Sequence, residues 1–211
     1  MKFVIAPDSF KGGLTAKQAA ETMAAGIKRV YPDAEYALVP MADGGEGTVQ
    51  SLVDATAGQL VTAQVHDPFD HLTNADYGML GDGHTAVIEM AAASGIQFIN
   101  DQTANPLVTT TYGTGELILD AIKRGAKKII IGIGGSATVD GGAGMAQALG
   151  VKLLKADGKP IGFGGGALAD LDRIDVSQVD PRVAQATIAI ASDVTNPLTG
   201  DDGAAPVFGP Q

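Results

Sequence analysis

Residues 131–142 form a glycine-rich segment, IGIGGSATVDGG, in which five of the twelve positions are glycine. Each glycine costs roughly 0.5–1 kcal/mol relative to alanine wherever the backbone is ordered in regular structure. The apolar run at 128–133 predicts a buried strand before the segment, and the pattern at 142–149 predicts a helix after it. Strand, glycine-rich loop and helix in this order predict an α/β fold with the loop at the carboxyl end of a parallel strand.

The other apolar runs favour the same fold class. The predicted strands are 2–6, 36–40, 60–65, 75–80, 85–90, 128–133, 151–155 and 187–191, and the predicted helices are the one beginning at Thr15 and those at 46–56, 114–124 and 142–149. Thr15 and Gln18 have the spacing of a capping box, which predicts the start of the first helix. The strand–helix–strand–helix opening favours a parallel sheet covered by helices, whereas the next three strands are spaced as an antiparallel meander. A composition shift near 58–66 predicts a domain boundary.

Composition argues against several classes of function. The chain has 211 residues, a net charge of −10 and no long basic run, so nucleic acid and anionic membranes are not expected as partners. It has no cysteine, which excludes disulfides, thiolate metal sites and thiol catalysis, and its three histidines lack the spacing of a metal site. The opening MKFVIAPDSF has too short an apolar run for a signal peptide, so we predict a cytoplasmic protein.

Four loops, each after a predicted strand, carry the candidate chemistry, because ligands of open α/β sheets bind at the carboxyl ends of strands. The first loop, DSFKGG at 8–13, has glycines that let backbone amides approach an anion. Lys11 adds a mobile positive charge that suits a carboxylate or a phosphate. The alternative interpretation is a tight turn with a solvated lysine.

The second and fourth loops carry acids. In MADGGEGT at 41–48, Asp43 and Glu46 stand where they could orient a hydroxyl group or a magnesium ion, although helix capping is the preferred interpretation for Glu46. In SDVTNP at 192–197, Asp193 and Asn196 can direct oxygens toward a cation or a substrate, and an Asx turn is the alternative.

The third loop is the glycine-rich segment itself. It is not a P-loop, because no Gly-Lys-Ser/Thr follows at the required spacing, and Ala137 breaks the dinucleotide pattern G-x-G-x-x-G. What remains is a loop of free amides and hydroxyl groups, which favours binding of phosphate oxygens. The alternative is that the glycines allow a helix to pack closely on the sheet.

Together these stretches resemble the bacterial type I glycerate kinases. The matching segments, in family order and spanning nearly the whole chain, are APDSFKGGLTAKQAAE, MADGGEGT, YGTGELILDAI, IGIGGSATVDGGAGMAQALG, SDVTNPLTG and GAAPVFGPQ. The resemblance implies ATP-dependent phosphorylation of glycerate with Mg²⁺. It also implies an α/β fold of two lobes, a discontinuous flavodoxin-like lobe that begins with residues 1–62, and an inserted lobe, residues 63–211, that resembles a restriction endonuclease. Both lobes are expected to be incomplete, because family members are considerably longer.

The resemblance, combined with the chemistry of the loops, assigns roles to individual residues. The predicted catalytic residues are Lys11, Asp43 and Asp193, and the predicted substrate-binding residues are Asp8, Ser9, Lys11 and Asn196. The predicted ATP-binding residues are Gly134, Gly135, Ser136, Thr138 and Asp140, and the predicted metal ligands are Asp140 and Asp193. The expected partners are glycerate and ATP, with no nucleic acid or membrane, and with a tendency to form a homo-oligomer.

Two other functions stay open at this point. A nicotinamide-dependent oxidoreductase is disfavoured, because PDSFK follows the first predicted strand where a G-x-G-x-x-G turn would be required. A noncatalytic module that binds an acidic metabolite would differ from a kinase by binding glycerate without turning over ATP.

Overall fold

The computed structural model describes residues 1–10, 13–41, 45, 47–192 and 194–210. Its strands are β1 (Lys2–Ile5), β2 (Glu35–Leu38), β3 (Gln59–His66), β4 (Leu72–Met79), β5 (Thr85–Glu89), β6 (Lys128–Gly132), β7 (Lys152–Leu154), β8 (Arg173–Asp175) and β9 (Thr187–Ala191). Its α-helices are α1 (Ala16–Lys28), α2 (Thr48–Thr56), α3 (Ala91–Ser94), α4 (Tyr112–Lys123), α5 (Ala143–Ala148) and α6 (Ala204–Phe208). Short 3₁₀ turns occupy Ile96–Phe98, Gly165–Asp170 and Val183–Gln185. The α/β class predicted from the sequence is confirmed.

The first sheet consists of β1 and β2, which pair in parallel with α1 as their connection. Helix α1 packs on one face of this sheet, where Ala20 and Ala24 lie buried with Ile5. The predicted capping box is present, since Thr15 Oγ1 accepts from the amide of Gln18 at 3.2 Å and Gln18 Oε1 accepts from the amide of Thr15 at 3.0 Å. The start of α1 is therefore determined by residues adjacent to it in the sequence.

Thr15→Ala should destabilise the chain by about 1 kcal/mol, because it leaves the Gln18 amide at the start of α1 without its acceptor. The free energy of unfolding from urea titration measures the change. Thr199→Ala, at an exposed position outside any helix or strand, is the control and should leave that free energy within about 0.5 kcal/mol of wild type. Equal losses in the two variants would contradict a capping role for Thr15.

The second sheet has five strands in the order β3-β4-β5-β6-β9. Strands β3, β4 and β5 form the predicted antiparallel meander, and β5, β6 and β9 run parallel. Helix α4 covers one face, where Leu117 and Ile118 are fully buried against Ile88, Ile129 and other core residues. A separate two-stranded antiparallel sheet joins β7 and β8.

Helix α2 packs on the opposite face of this second sheet, with Val49 and Val53 against Val87 of β5. Strand β3 is continuous from residue 59 to residue 66 and thus runs across the division that we predicted between residues 62 and 63. Within the described ranges, no helix is both long enough and apolar enough to cross a membrane.

Candidate functional site

Three parallel strands end in a row at one edge of the five-stranded sheet. Glu89 at the end of β5 pairs with Gly132 at the end of β6, and Gly132 pairs with Ala191 at the end of β9. The glycine loop, residues 133–142, and the segment that begins at Ser192 therefore leave the sheet at the same edge. This is the edge at which open α/β sheets bind their ligands.

Hydrogen bonds to neighbouring segments hold the first part of the glycine loop. The amide of Ile96 donates to the carbonyl of Gly135 at 2.9 Å, and the amide of Ala137 donates to the carbonyl of Ser94 at 2.9 Å. Gly135 has φ of +69°, and Gly141 and Gly142 have φ of +62° and +79°. Because side chains disfavour this left-handed conformation, these three glycines determine the path of the loop.

Three consecutive amides of the loop, those of Gly134, Gly135 and Ser136, have no hydrogen-bond acceptor among the residues that the structure describes. Gly134 and Gly135 are exposed. The Ser136 hydroxyl lies 2.9 Å from that of Thr138 and accepts from the Thr138 amide at 3.0 Å. Consecutive exposed amides next to hydroxyl groups supply hydrogen-bond donors of the kind that bind phosphate oxygens.

Asp140 lies at the other end of the loop and is only 1% exposed. Its carboxylate accepts from the Thr111 amide at 2.9 Å, from the Thr111 hydroxyl, and from the amides of Gly142 at 2.9 Å and Gly144 at 3.0 Å. A metal ion at Asp140 would have to replace several of these bonds, so the geometry favours a residue that holds the loop and the start of α5. Its role as a metal ligand stays a prediction.

Sequence reasoning missed Glu89, the last residue of β5. Its Oε1 accepts from the amide of Val49 at 2.8 Å, in the first turn of α2. The N-cap position of α2 is Gly47, which has no side chain to cap the helix. Glu89 of strand β5 supplies a carboxylate to the start of the helix instead. Glu89 therefore links the start of α2 to the edge that carries the glycine loop. The available signal was a lone acid ending the apolar strand TAVIE.

The other predicted site residues that the structure describes lie on the first loop, which carries Asp8 and Ser9, and on the fourth loop, which carries Asn196. The Ser9 amide donates to Asp8 Oδ1 at 2.6 Å, and Asn196 Nδ2 donates to the carbonyl of Asp202 at 3.0 Å. The Met41 amide donates to the carbonyl of Pro7 at 2.9 Å, so the first and second loops leave the two-stranded sheet side by side. In the described part of the chain, no hydrogen bond joins Asp8, Ser9 or Asn196 to the glycine loop.

Four residues of these predictions, Lys11, Asp43, Glu46 and Asp193, lie outside the described residues. Among the positions that are described, the structure groups no three histidine, aspartate or glutamate side chains in a way that could hold a metal ion. The predicted sites of catalysis and metal binding thus stay predictions from the sequence.

A family model covers nearly the whole chain. The model of the glycerate kinase family matches residues 3–211. The chain belongs to the glycerate kinase family. It is 57% identical over 211 residues to the glycerate kinase of Haemophilus influenzae, a match that covers all of this chain and 56% of that protein. It is 56% identical to the glycerate 2-kinase of Escherichia coli, again over the whole chain and over 55% of the relative.

A solved structure of this family has the same fold. The chain superposes with a TM-score of 0.91 on the crystal structure of a protein described as "putative glycerate kinase 2" from Salmonella typhimurium LT2, at 53% identity. The match covers 100% of this chain and 56% of that one. The chain therefore spans about half the length of the glycerate kinases that it matches.

Proposed function

We propose that the full gene product containing these residues is an ATP-dependent glycerate kinase, which transfers the terminal phosphoryl group of ATP to a hydroxyl group of glycerate. The observation that carries the proposal is the glycine loop. It presents the amides of Gly134, Gly135 and Ser136 at the carboxyl end of β6, in a chain of the glycerate kinase family.

Phosphoryl transfer depends on positioning and charge neutralisation more than on covalent chemistry from the protein. In our proposal the amides of 134–136 and the hydroxyl groups of Ser136 and Thr138 bind phosphate oxygens of ATP. Lys11 neutralises the glycerate carboxylate or the transferring phosphoryl group. The backbone amides serve as ligands here, and this accounts for glycines at exposed positions where they contribute nothing to a core.

The polar side chains of the loops have three proposed roles. Asp43 and Asp193 are the candidates for accepting the proton of the attacking hydroxyl, and Asp8, Ser9 and Asn196 are the candidates for contacts to glycerate. Asp140 acts through the loop that it holds, because its oxygens already accept hydrogen bonds from Thr111, Gly142 and Gly144.

We propose magnesium as a partner of ATP because the sequence predicts Asp193 as a metal ligand and places Asp43 where it could orient a magnesium ion. The described residues do not themselves supply a fitting site, since Asp140 is buried and fully engaged and no cluster of three ligating side chains occurs among them. We therefore derive no step through the ion.

We also propose that the chain contributes to two lobes, one flavodoxin-like and one resembling a restriction endonuclease. The presence of two separate sheets, β1-β2 and the five-stranded sheet, supports this division. The packing of α2 on the five-stranded sheet and the continuity of β3 through residue 62 favour a boundary before β3 that leaves α2 in contact with both parts of the chain.

The full gene product should release ADP from ATP in the presence of glycerate and magnesium, which a coupled ADP assay against a panel of small hydroxy acids measures. Escherichia coli glycerate 2-kinase is the positive control for the assay. Separation of 2-phosphoglycerate from 3-phosphoglycerate in the products identifies the hydroxyl group that is phosphorylated.

Turnover with another hydroxy acid but none with glycerate would overturn the substrate assignment. Binding of glycerate without any release of ADP would overturn the kinase assignment and favour a noncatalytic module that binds an acidic metabolite.

A further inference from the structure

Three consecutive threonines, Thr109–Thr111, precede α4 and lie against the glycine loop. They are 0%, 1% and 5% exposed, which is unusual for a run of polar side chains. We call this segment the threonine brace. It was not among the candidate site residues of the sequence, and no proposed step of the reaction uses it directly.

The brace holds the glycine loop at two points. The hydroxyl of Thr109 donates to the carbonyl of Ala137 at 2.7 Å. Thr111 donates through its amide and its hydroxyl to Asp140, and its hydroxyl also accepts from the amide of Met145 at 2.9 Å. The loop is thus fixed immediately after the open amides, at Ala137, and again where it enters α5.

The brace is itself anchored. The amide of Thr110 donates to the carbonyl of Pro68 at 3.0 Å, in the turn between β3 and β4. The open amides of Gly134, Gly135 and Ser136 therefore lie between the end of β6 and Ala137, which Thr109 and Ser94 both hold. Donors that are fixed before the ligand arrives bind it without a further cost of ordering the backbone.

We infer that Thr109 is a positioning residue for the phosphate site, acting through its hydrogen bond to the Ala137 carbonyl to set the direction of the amides at 134–136. This inference rests on the proposed function, because it takes those amides as ligands of a nucleotide phosphate. Thr109 itself contacts the loop backbone and is not assigned any contact with the nucleotide.

The test measures ADP binding to the full gene product by calorimetric titration, and the KM for ATP in the coupled assay. Thr109→Val keeps the shape of the side chain and removes its hydroxyl, and it should weaken ADP binding and raise the KM for ATP about tenfold each. Thr109→Ser retains the hydroxyl and should stay within about threefold of wild type. If Thr109→Val does not fold, Thr109→Ala is the second variant, because it places no methyl group against the Ala137 carbonyl. It should weaken ADP binding and raise the KM for ATP by the same factor of about ten.

Thr85→Val is the matched control. Thr85 is 5% exposed, and its hydroxyl donates to Asp82 Oδ2 at 2.6 Å. It is the first residue of β5, at the opposite end of the sheet from the glycine loop. Thr85→Val should lose a similar amount of stability and keep the ADP affinity of wild type. An unchanged affinity in folded Thr109→Val or Thr109→Ala, or equal losses of affinity in Thr85→Val, would overturn the inference alone. Failure of the wild-type protein to bind ADP would overturn the proposed function and the inference with it.

Discussion

Gly144→Ala is expected to lower the free energy of unfolding of this chain by about 3 kcal/mol, because the added methyl group has no space. A Cβ at this position would overlap Thr110 Oγ1 and lie 2.7 Å from the amide nitrogen of Tyr112 and 3.0 Å from Asp140 Oδ2. The Tyr112 nitrogen belongs to the backbone at the start of α4, so it cannot rotate away as a side chain would. Urea unfolding, followed by circular dichroism, measures the loss.

Gly26→Ala provides the matched control for Gly144→Ala. Gly26 lies inside α1, and a Cβ there would meet no atom within 4 Å. The same substitution should therefore raise the free energy of unfolding by about 0.5–1 kcal/mol, the difference in helix propensity between alanine and glycine. If Gly144→Ala were as stable as wild type, this result would contradict the close contact between Gly144 of α5 and the start of α4.

Lys11→Ala in the full gene product is expected to lower kcat/KM with glycerate by about 10²- to 10³-fold, the size of effect seen when a group that neutralises transition-state charge is removed. Lys11 itself lies outside the described residues. The described residues on either side of it are hydrogen-bonded to each other, since the Phe10 amide donates to the carbonyl of Leu14 at 2.8 Å and the Gly13 amide donates to the carbonyl of Phe10 at 2.7 Å. The sequence predicts that a lysine among glycines contributes charge rather than packing, so its removal should leave the midpoint of thermal unfolding nearly unchanged.

Lys28→Ala is the control for Lys11→Ala, since it removes a lysine from the opposite end of α1. Lys28 Nζ lies 5.1 Å from the centre of the Tyr36 ring, on the surface of the first sheet. Its replacement should leave kcat/KM within about twofold of wild type, as for a surface change away from the site. Comparable activity in Lys11→Ala and Lys28→Ala would return Lys11 to the interpretation of a solvated loop lysine.

Local patterns in the sequence predicted most of the strands and helices. Strand β9 has the predicted bounds 187–191, and the capping box of Thr15 and Gln18 is present. Helix α4 begins at Tyr112, two residues before the predicted start at 114, with no side-chain cap from Thr111. The Thr111 hydroxyl bonds to Asp140 instead. Caps are predicted from residues that are adjacent in the sequence. Such a pattern could not show that Asp140, 29 residues away, accepts from the Thr111 hydroxyl.

The sequence by itself determined the α/β class, the order of most strands and helices, the glycine loop after β6 and membership of the glycerate kinase family, whereas β8, α3 and α6 were not predicted. These features depend on apolar periodicity, turn residues and motifs, which involve positions close together in the chain. Tertiary structure alone decided which face of the second sheet α2 covers, and that the Asp140 carboxylate is buried among donors. It also joined Glu89 to Val49, 40 residues apart, and Thr111 to Asp140, 29 residues apart. Such pairs form only when separate segments pack together, and the identity of an acid does not specify which distant amides will reach it.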